Sequence, residues 1–200
     1  VEDVAFQGGF VQAAPYLGGG ILASNATLVL NRCRLVSNQV LCAATIQTLG
    51  GGGLYAGACS LRVTNSVVAW NSVVSTSMQN VVWGGGIHVD RGTAELVSSV
   101  VSGNLARGKG ATAAGTQDYG YGGGVAASGS LDVRDSVVHG NRVSGSSYTS
   151  ADKTHVFGAG LYASGSLSVQ GVGFKANRAA GGYLVSAQGG GIYSKGPLWL

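Results

Sequence analysis

Aliphatic residues recur along the chain in pairs that are separated by one residue, which is usually polar. The first members of the pairs are Leu28, Leu61, Ala94, Leu131, Leu167 and Leu198. The second members are Leu30, Val63, Leu96, Val133, Val169 and Leu200. Because a β-strand alternates its side chains between two faces, both members of a pair share one face. Intervening residues such as Arg62, Glu95 and Asp132 face the other way, which predicts an aliphatic interior and a polar exterior.

A glycine triplet precedes each pair and an asparagine follows it, so the chain is one unit repeated. The triplets, the fifth with Ala159 as its middle residue, end at Gly20, Gly53, Gly86, Gly124, Gly160 and Gly191. The asparagines, 17 or 18 residues later, are Asn38, Asn71, Asn104, Asn141 and Asn177. Three residues before them stand Leu35, Val68, Val101, Val138 and Phe174. A period of 31–38 residues is typical of a solenoid, a propeller or an array.

Each repeat contains short extended segments, rich in β-branched residues and separated by glycine or serine turns. If one repeat makes one coil, like segments stack about 4.8 Å apart and the aliphatic columns fill the lumen. The glycine triplets then supply corners with positive φ and close backbone approach. The asparagines are predicted to form a structural ladder, because a stacked amide both donates and accepts along the column.

Two segments resemble a known group of repeats: Gly189-Gly190-Gly191-Ile192-Tyr193-Ser194 and Phe174-Lys175-Ala176-Asn177. They are similar to the Gly-Gly-Ala-Ile and Phe-x-x-Asn repeats of polymorphic outer-membrane proteins and related adhesins, within the pectin-lyase-like superfamily. The resemblance implies an all-β fold, a right-handed parallel β-helix (β-solenoid) of about five complete coils of 31–38 residues, forming a single domain over residues 1–200. It does not select a function, because the motif residues are structural and the superfamily includes scaffolds, adhesins and polysaccharide-cleaving enzymes.

Long loops are predicted at one corner, between each asparagine and the next glycine triplet. They contain Thr45, Trp83, Tyr119, Tyr121, Tyr148, His155, Phe157 and Tyr183. Because insertions on one face of a solenoid are often its binding face, one interpretation is a contact wall. The other interpretation is a lengthened third sheet whose aromatic side chains pack on one another.

A second aromatic column follows the glycine triplets, at Tyr55, His88, Tyr162 and Tyr193. Leu22 and Ala126 occupy the same position in the other repeats. An aromatic stack on the sheet face is the ordinary interpretation. The alternative is a ligand-stacking column that binds sugar rings.

Composition and charge narrow the function classes. Charged residues make up 10% of the chain, apolar residues 45%, and the net charge is +4 with scattered basic residues, so we expect no nucleic-acid partner. No stretch approaches 18 uninterrupted apolar residues, so we expect no membrane insertion. Asp132 and Asp135 are three residues apart in a strand, too poorly placed for an acid/base pair, and the histidines have no aligned partners. We therefore predict no catalytic residues, no metal site and no cofactor.

The three cysteines and one sequon allow covalent modification. Cys33 aligns with serines of other repeats, which indicates a small buried side chain. A disulfide between Cys42 and Cys59 is one hypothesis, if the first long loop folds down; three unpaired thiols is the other. Asn25 opens an Asn-Ala-Thr sequon in a turn, and we predict it as a glycosylation site if a eukaryote secretes the chain.

Both ends of the sequence interrupt a repeat without a polar cap. We expect either neighbouring coils of a longer β-helix or head-to-tail self-association, which in its open form gives a filament. The resulting hypothesis is a non-enzymatic structural scaffold, extracellular or at the cell surface. An adhesin that binds glycans or surfaces through the aromatic columns and the long-loop wall is the alternative, and a polysaccharide lyase or hydrolase is the third.

Overall fold

A computed structural model describes residues 1–45, 47–77, 79–109, 117–145, 153–181 and 185–200. These residues form an all-β parallel solenoid of about five turns and contain no helix, so the predicted fold class is confirmed. Each complete turn contributes one strand to each of five parallel sheets. We number the sheets 1 to 5 in the order in which the chain enters them after a glycine triplet.

Sheets 1, 2 and 3 contain the segments predicted from the aliphatic columns. Sheet 1 consists of Ile21–Ser24, Leu54–Gly57, Ile87–Asp90, Val125–Ala127, Leu161–Ala163 and Ile192–Ser194. Sheet 2 consists of Thr27–Asn31, Ser60–Thr64, Thr93–Val97, Ser130–Arg134, Leu167–Gln170 and Leu198–Trp199. Sheet 3 consists of Ala5–Gln7, Arg34–Val36, Val67–Ala69, Val100–Ser102, Val137–His139 and Gly173–Lys175.

Sheets 4 and 5 lie between each asparagine and the following glycine triplet. Sheet 4 consists of Phe10–Val11, Gln39–Cys42, Ser72–Ser75, Leu105–Arg107, Arg142–Gly145 and Arg178–Gly181. Sheet 5 consists of Thr48–Gly50, Val81–Trp83, Gln117–Tyr121, Lys153–Phe157 and Val185–Gln188. The predicted long loops thus include a fifth paired sheet, in agreement with the second of the two interpretations. Tyr148 and Tyr183 lie outside the described residues.

Strand register follows the repeat position by position, which places like residues on top of each other. Leu61, for example, pairs with Leu28 on one side and with Ala94 on the other. The inward residues of sheets 1, 2 and 3 form one aliphatic core, in which Leu30, Leu96 and Leu161 are fully buried. We call these three sheets and their core the triangular lobe.

A separate core lies between sheets 4 and 5. It contains Val40, Val73 and Val143 from sheet 4, and Leu49 and Val156 from sheet 5. Two facing sheets enclose a thinner interior than three sheets do. The side chains of this second core are therefore smaller than those of the first. We call sheets 4 and 5 and this core the flat lobe.

The two lobes meet at a neck formed by the glycine triplets and the asparagines. Gly84 has a φ of +55°, a backbone conformation that glycine adopts without strain. A Cβ on Gly85 would collide with the backbone of Leu105 at the start of sheet 4. A Cβ on Gly86 would lie 3.0 Å from the Asn104 amide carbon. The triplet is therefore required because two stretches of backbone pack back to back there.

Candidate functional site

The structure brings the five predicted asparagines together in one column at the neck. The backbone N–H and side-chain Nδ2 of Asn71 both donate to Oδ1 of Asn104, each at 3.0 Å. Asn104 donates in the same way to Asn141, at 3.1 and 2.9 Å. The second Nδ2 hydrogen of Asn104 is donated to the carbonyl oxygen of Val68 at 2.9 Å. Every polar atom of these amides is thus used within the solenoid, which makes the column structural.

Two further side-chain ladders were not predicted from the sequence. At the corner between sheets 2 and 3, the backbone N–H of Ser66 donates to Oγ of Ser99 at 3.1 Å, and that of Ser99 donates to Oγ of Ser136 at 3.1 Å. At the far end of the flat lobe, the backbone N–H of Asn80 donates to the Asp118 carboxylate at 2.9 Å. The serine column was visible in the alignment of repeats, but its hydrogen bonds depend on the corner conformation.

The predicted column of Tyr55, His88, Tyr162 and Tyr193 lies on the outer face of sheet 1, where it meets rings from sheet 5. The outward residues of sheet 5 that reach it are Trp83, Tyr121 and Phe157, which are in register with one another. Ring centroids of Tyr121 and Tyr162 are 4.6 Å apart, and those of Phe157 and Tyr193 are 4.8 Å apart. We call this cluster of rings the aromatic corner.

The aromatic corner leaves only part of the possible ligand-stacking column accessible. Tyr162 and His88 are only 1% and 4% exposed, because rings of sheet 5 cover them. Trp83 stacks against both His88 and Tyr121, with ring centroids 5.2 and 4.1 Å apart. Only Tyr55 and Tyr193 of the predicted column are partly exposed. The rings therefore mainly join sheet 1 to sheet 5.

A cleft of about 460 Å³ remains beside Tyr55, at the end of the aromatic corner nearer the N-terminus. Its wall includes Tyr55, Trp83 and His88, and Asp90 and Ser128 form its polar side. The Tyr55 hydroxyl donates to one Asp90 carboxylate oxygen at 3.3 Å, and the Ser128 hydroxyl donates to the other at 3.2 Å. An apolar wall with a few convergent polar groups is the usual construction of a small-ligand site.

His88 is the most perturbed titratable group of this cleft. Burial lowers the pKa of its imidazole to about 4, since the charged form is desolvated; the nearby Asp90 carboxylate opposes this shift. Nδ1 of His88 is buried and has no hydrogen-bond partner among the described residues. The ring occupies the space above Gly50, where any Cβ would collide with Nδ1. At neutral pH the imidazole is therefore uncharged and acts as an aromatic ring.

The acidic residues considered for catalysis lie on and beside sheet 2, where Asp132 is paired with an arginine. On the outer face of sheet 2, Arg134 bridges Asp132 at 2.6 Å and Glu95 at 3.0 Å, and Arg62 lies 3.3 Å from Glu95. Asp135 is exposed in the turn after this strand, with a φ of +48°. The structure does not bring Asp132 and Asp135 together as facing carboxylates on one strand surface.

The cysteines are free and buried, so the structure does not contain the predicted bridge between Cys42 and Cys59. Cys42 packs in the core of the flat lobe, whereas Cys59 packs in the core of the triangular lobe. The neck separates these two cores, which is the physical reason that the thiols do not meet. Cys33 is buried in the serine column, as predicted.

Asn25 is exposed in the turn between sheets 1 and 2, with a φ of +52°. Its backbone N–H donates to the carbonyl oxygen of Gly57 at 2.9 Å, so the side chain is not needed to hold the turn. This placement is compatible with a glycan, and glycosylation stays a prediction.

In the part of the chain that the structure describes, no three His, Cys, Asp or Glu side chains are grouped so that they could hold a metal ion. The same residues include no helix of sufficient length and apolarity to cross a bilayer. Comparison with known proteins gave no match to a family model, to a curated protein or to a solved structure.

Proposed function

We propose that this chain is a non-enzymatic structural scaffold, extracellular or at a cell surface, and a right-handed member of the pectin-lyase-like superfamily. The observation that supports it most directly is the set of continuous axial ladders. The amide column joins five consecutive coils, and the serine and aromatic columns join several of them, in addition to the backbone pairing of five sheets. Such redundancy suits a rigid rod better than an enzyme that must open and close.

The acidic residues support the same proposal. The carboxylates of Glu95 and Asp132 share one guanidinium, and this contact raises the pKa of Arg134. Exposed carboxylates that share an arginine are the usual construction of a surface ion-pair network. This arrangement favours a stabilising surface network over general acid/base catalysis.

The location is tested by labelling intact source cells with an antibody against the purified chain, before and after permeabilisation. We expect labelling of intact cells. Signal that requires permeabilisation would contradict the surface location.

Negative-stain electron microscopy of the native material is expected to show rods. Globular particles alone would contradict the scaffold.

The scaffold proposal includes axial continuation of the sheets, by neighbouring coils or by a second copy. The terminal strands of each described sheet pair on one side only, and open strand edges associate readily. We expect the isolated chain to sediment as a concentration-dependent series of species. A single monomeric species at all concentrations would contradict stacking between copies.

Glycan binding in the cleft of the aromatic corner is the second candidate function. The Asp90 carboxylate, held by the Tyr55 and Ser128 hydroxyls beside partly exposed rings, is the observation that favours it. We expect neutral oligosaccharides to protect the Trp83 ring from chemical oxidation, measured by mass spectrometry on the peptide that contains Trp83, so that Trp70 and Trp199 do not contribute. Asp90→Asn should weaken that protection, whereas Glu95→Gln on sheet 2 should not. Equal loss in both variants, or no protection in the parent protein, would exclude the cleft.

A further inference from the structure

Nine of the twelve basic residues of this chain fall into two groups. Four arginines, all outside sheets 3 and 4, form ion pairs with carboxylates: Arg32, Arg62, Arg91 and Arg134. The strands of sheets 3 and 4 contain five basic residues and no acidic residue: Arg34, Arg107, Arg142, Lys175 and Arg178. None of these five forms an ion pair with a carboxylate of the described residues. Among these nine residues, those without a carboxylate partner are therefore concentrated on sheets 3 and 4.

Three of these arginines share the outer face of sheet 4. Arg142 and Arg178 are register partners in adjacent coils, and Arg107 pairs with Ser144, two residues after Arg142. All three side chains are exposed, and they line a cleft of about 430 Å³ whose floor includes Gly145 and Gly181. We call this surface the arginine face. It lies on the side of the flat lobe opposite to the aromatic corner.

The arginine face is electrostatically unfavourable without a ligand. Neighbouring strands are about 4.8 Å apart, so Arg142 and Arg178 place like charges directly beside each other. Neither side chain forms a hydrogen bond or ion pair with a described residue that would offset this repulsion. A row of unneutralised cations in a cleft raises the local concentration of anions.

An exposed tryptophan stands at the edge of the same face. Trp70 is 67% exposed, at the corner between sheets 3 and 4. Its ring lies across Gly103 of the next coil, where a Cβ would be 2.6 Å from the Trp70 ring. Gly103 therefore leaves room for the ring to lie flat. One coil further, Gly140 precedes Asn141 and Arg142, so the ring and the arginines follow one another along the solenoid axis.

We propose that the arginine face and Trp70 form a binding site for an acidic polysaccharide. The guanidinium groups of Arg107, Arg142 and Arg178 bind its carboxylate or sulfate groups, and the Trp70 ring stacks on a sugar ring. Guanidinium groups bind such oxyanions with paired hydrogen bonds, and a flat row suits a linear polymer that runs along the axis. The inference is independent of the cleft at the aromatic corner.

Binding of four polymers of matched length distinguishes which anionic group the site recognises. Polygalacturonate presents carboxylates, dextran sulfate presents sulfates, unmodified dextran has no charge, and single-stranded DNA presents phosphates. We expect the full chain to bind polygalacturonate or dextran sulfate in low salt, with an affinity that falls as salt rises. Preference between the two identifies the anionic group. Binding to neither, or tighter binding to DNA than to both, would overturn the proposal.

Paired variants locate the site. We expect Arg142→Gln combined with Arg178→Gln to weaken binding about tenfold or more. The matched control is Arg62→Gln combined with Arg134→Gln, which removes the same charge from sheet 2 and should change affinity less than about twofold. Equal weakening by both pairs would show an effect of net charge alone and would overturn the site.

Trp70→Asn tests the stacking contact, because asparagine tolerates the left-handed backbone that Trp70 adopts, with a φ of +58°. We expect weaker binding of the acidic polysaccharide with an unchanged melting temperature. Unchanged affinity would overturn the placement of a sugar ring on Trp70. Melting curves of every variant, recorded in the same buffer, separate lost binding from lost fold.

Discussion

The triangular lobe and the flat lobe are built from the same kind of parallel strand, yet they differ in how much their length varies from one repeat to the next. In the triangular lobe the distance from the last glycine of a triplet to the asparagine is 17 or 18 residues in every repeat. In the flat lobe the number of residues between the asparagine and the next triplet varies from 11 to 17. Almost all variation in repeat length is therefore confined to the flat lobe.

This difference in length variation arises because the three sheets of the triangular lobe must close around one core. Three sheets around one core must return the chain to the neck in the same register on every turn, because a slip of one residue would expose the aliphatic columns. Sheets 4 and 5 are two facing walls, and the segment that joins them can vary in length while both walls stay paired. The neck lets one lobe vary without disturbing the other, and each candidate binding surface includes a sheet of the variable lobe: sheet 4 in the arginine face, and sheet 5, together with sheet 1, in the aromatic corner.

The largest expected effect comes from closing the space at the neck. Gly85→Ala places a Cβ against the Leu105 backbone, which cannot move without separating the lobes, so we expect a loss of about 4 kcal/mol or more of unfolding free energy. Denaturant titration measures it. Gly173→Ala, whose Cβ meets nothing within 4 Å, is the matched control and should change stability by less than about 0.5 kcal/mol. Equal stability of the two variants would contradict the back-to-back neck.

A slightly smaller loss is expected when one amide is removed from the ladder. Asn104→Ala leaves both donors of Asn71 without their acceptor in a buried site, which should cost about 3–4 kcal/mol. Ser130→Ala, at the exposed first position of a sheet 2 strand, should cost under about 0.5 kcal/mol. A loss for Asn104→Ala no greater than that of the serine control would show that the ladder contributes little.

A double-mutant cycle tests whether the two cores are independent. We expect Leu96→Ala in the triangular lobe to cost about 3 kcal/mol and Val156→Ala in the flat lobe about 2 kcal/mol, since each leaves a cavity. Because the two residues share no core, their effects should add to within about 0.5 kcal/mol. Leu96→Ala and Val133→Ala, neighbours in one core, should deviate by more. Non-additivity between the lobes would show that the neck transmits strain.

The smallest effect concerns the uncharged imidazole at the aromatic corner. The pKa of His88 is lower in the folded chain than its ordinary value of 6.5. The contribution of the uncharged ring to the unfolding free energy is therefore complete above pH 6.5 and is lost as the pH falls toward 4. Between about pH 7.5 and pH 5 we expect a loss of about 2 kcal/mol of unfolding free energy that His88→Phe does not show. The difference between the two proteins removes the common contribution of other titrating groups. Parallel stability curves would contradict the burial of His88.

The sequence predicted the parts of this structure that repeat along the axis. The columns through Leu61, Val68 and Asn71, and the glycine corners such as Gly86, follow from periodicity, because each coil contacts only the coils on either side of it. Positions that align in sequence therefore align in space. The same reasoning placed Asn25 in an exposed turn.

Only the tertiary structure determined which side chains contact each other across a coil. Periodicity alone does not say how far sheet 5 folds back, so it could not show that Trp83 covers His88 or that Cys42 and Cys59 belong to different cores. Nor could it show that Arg142 has no carboxylate partner among the described residues. These contacts join residues of different repeat positions, and their distances are set by the path of the chain through the neck and the flat lobe.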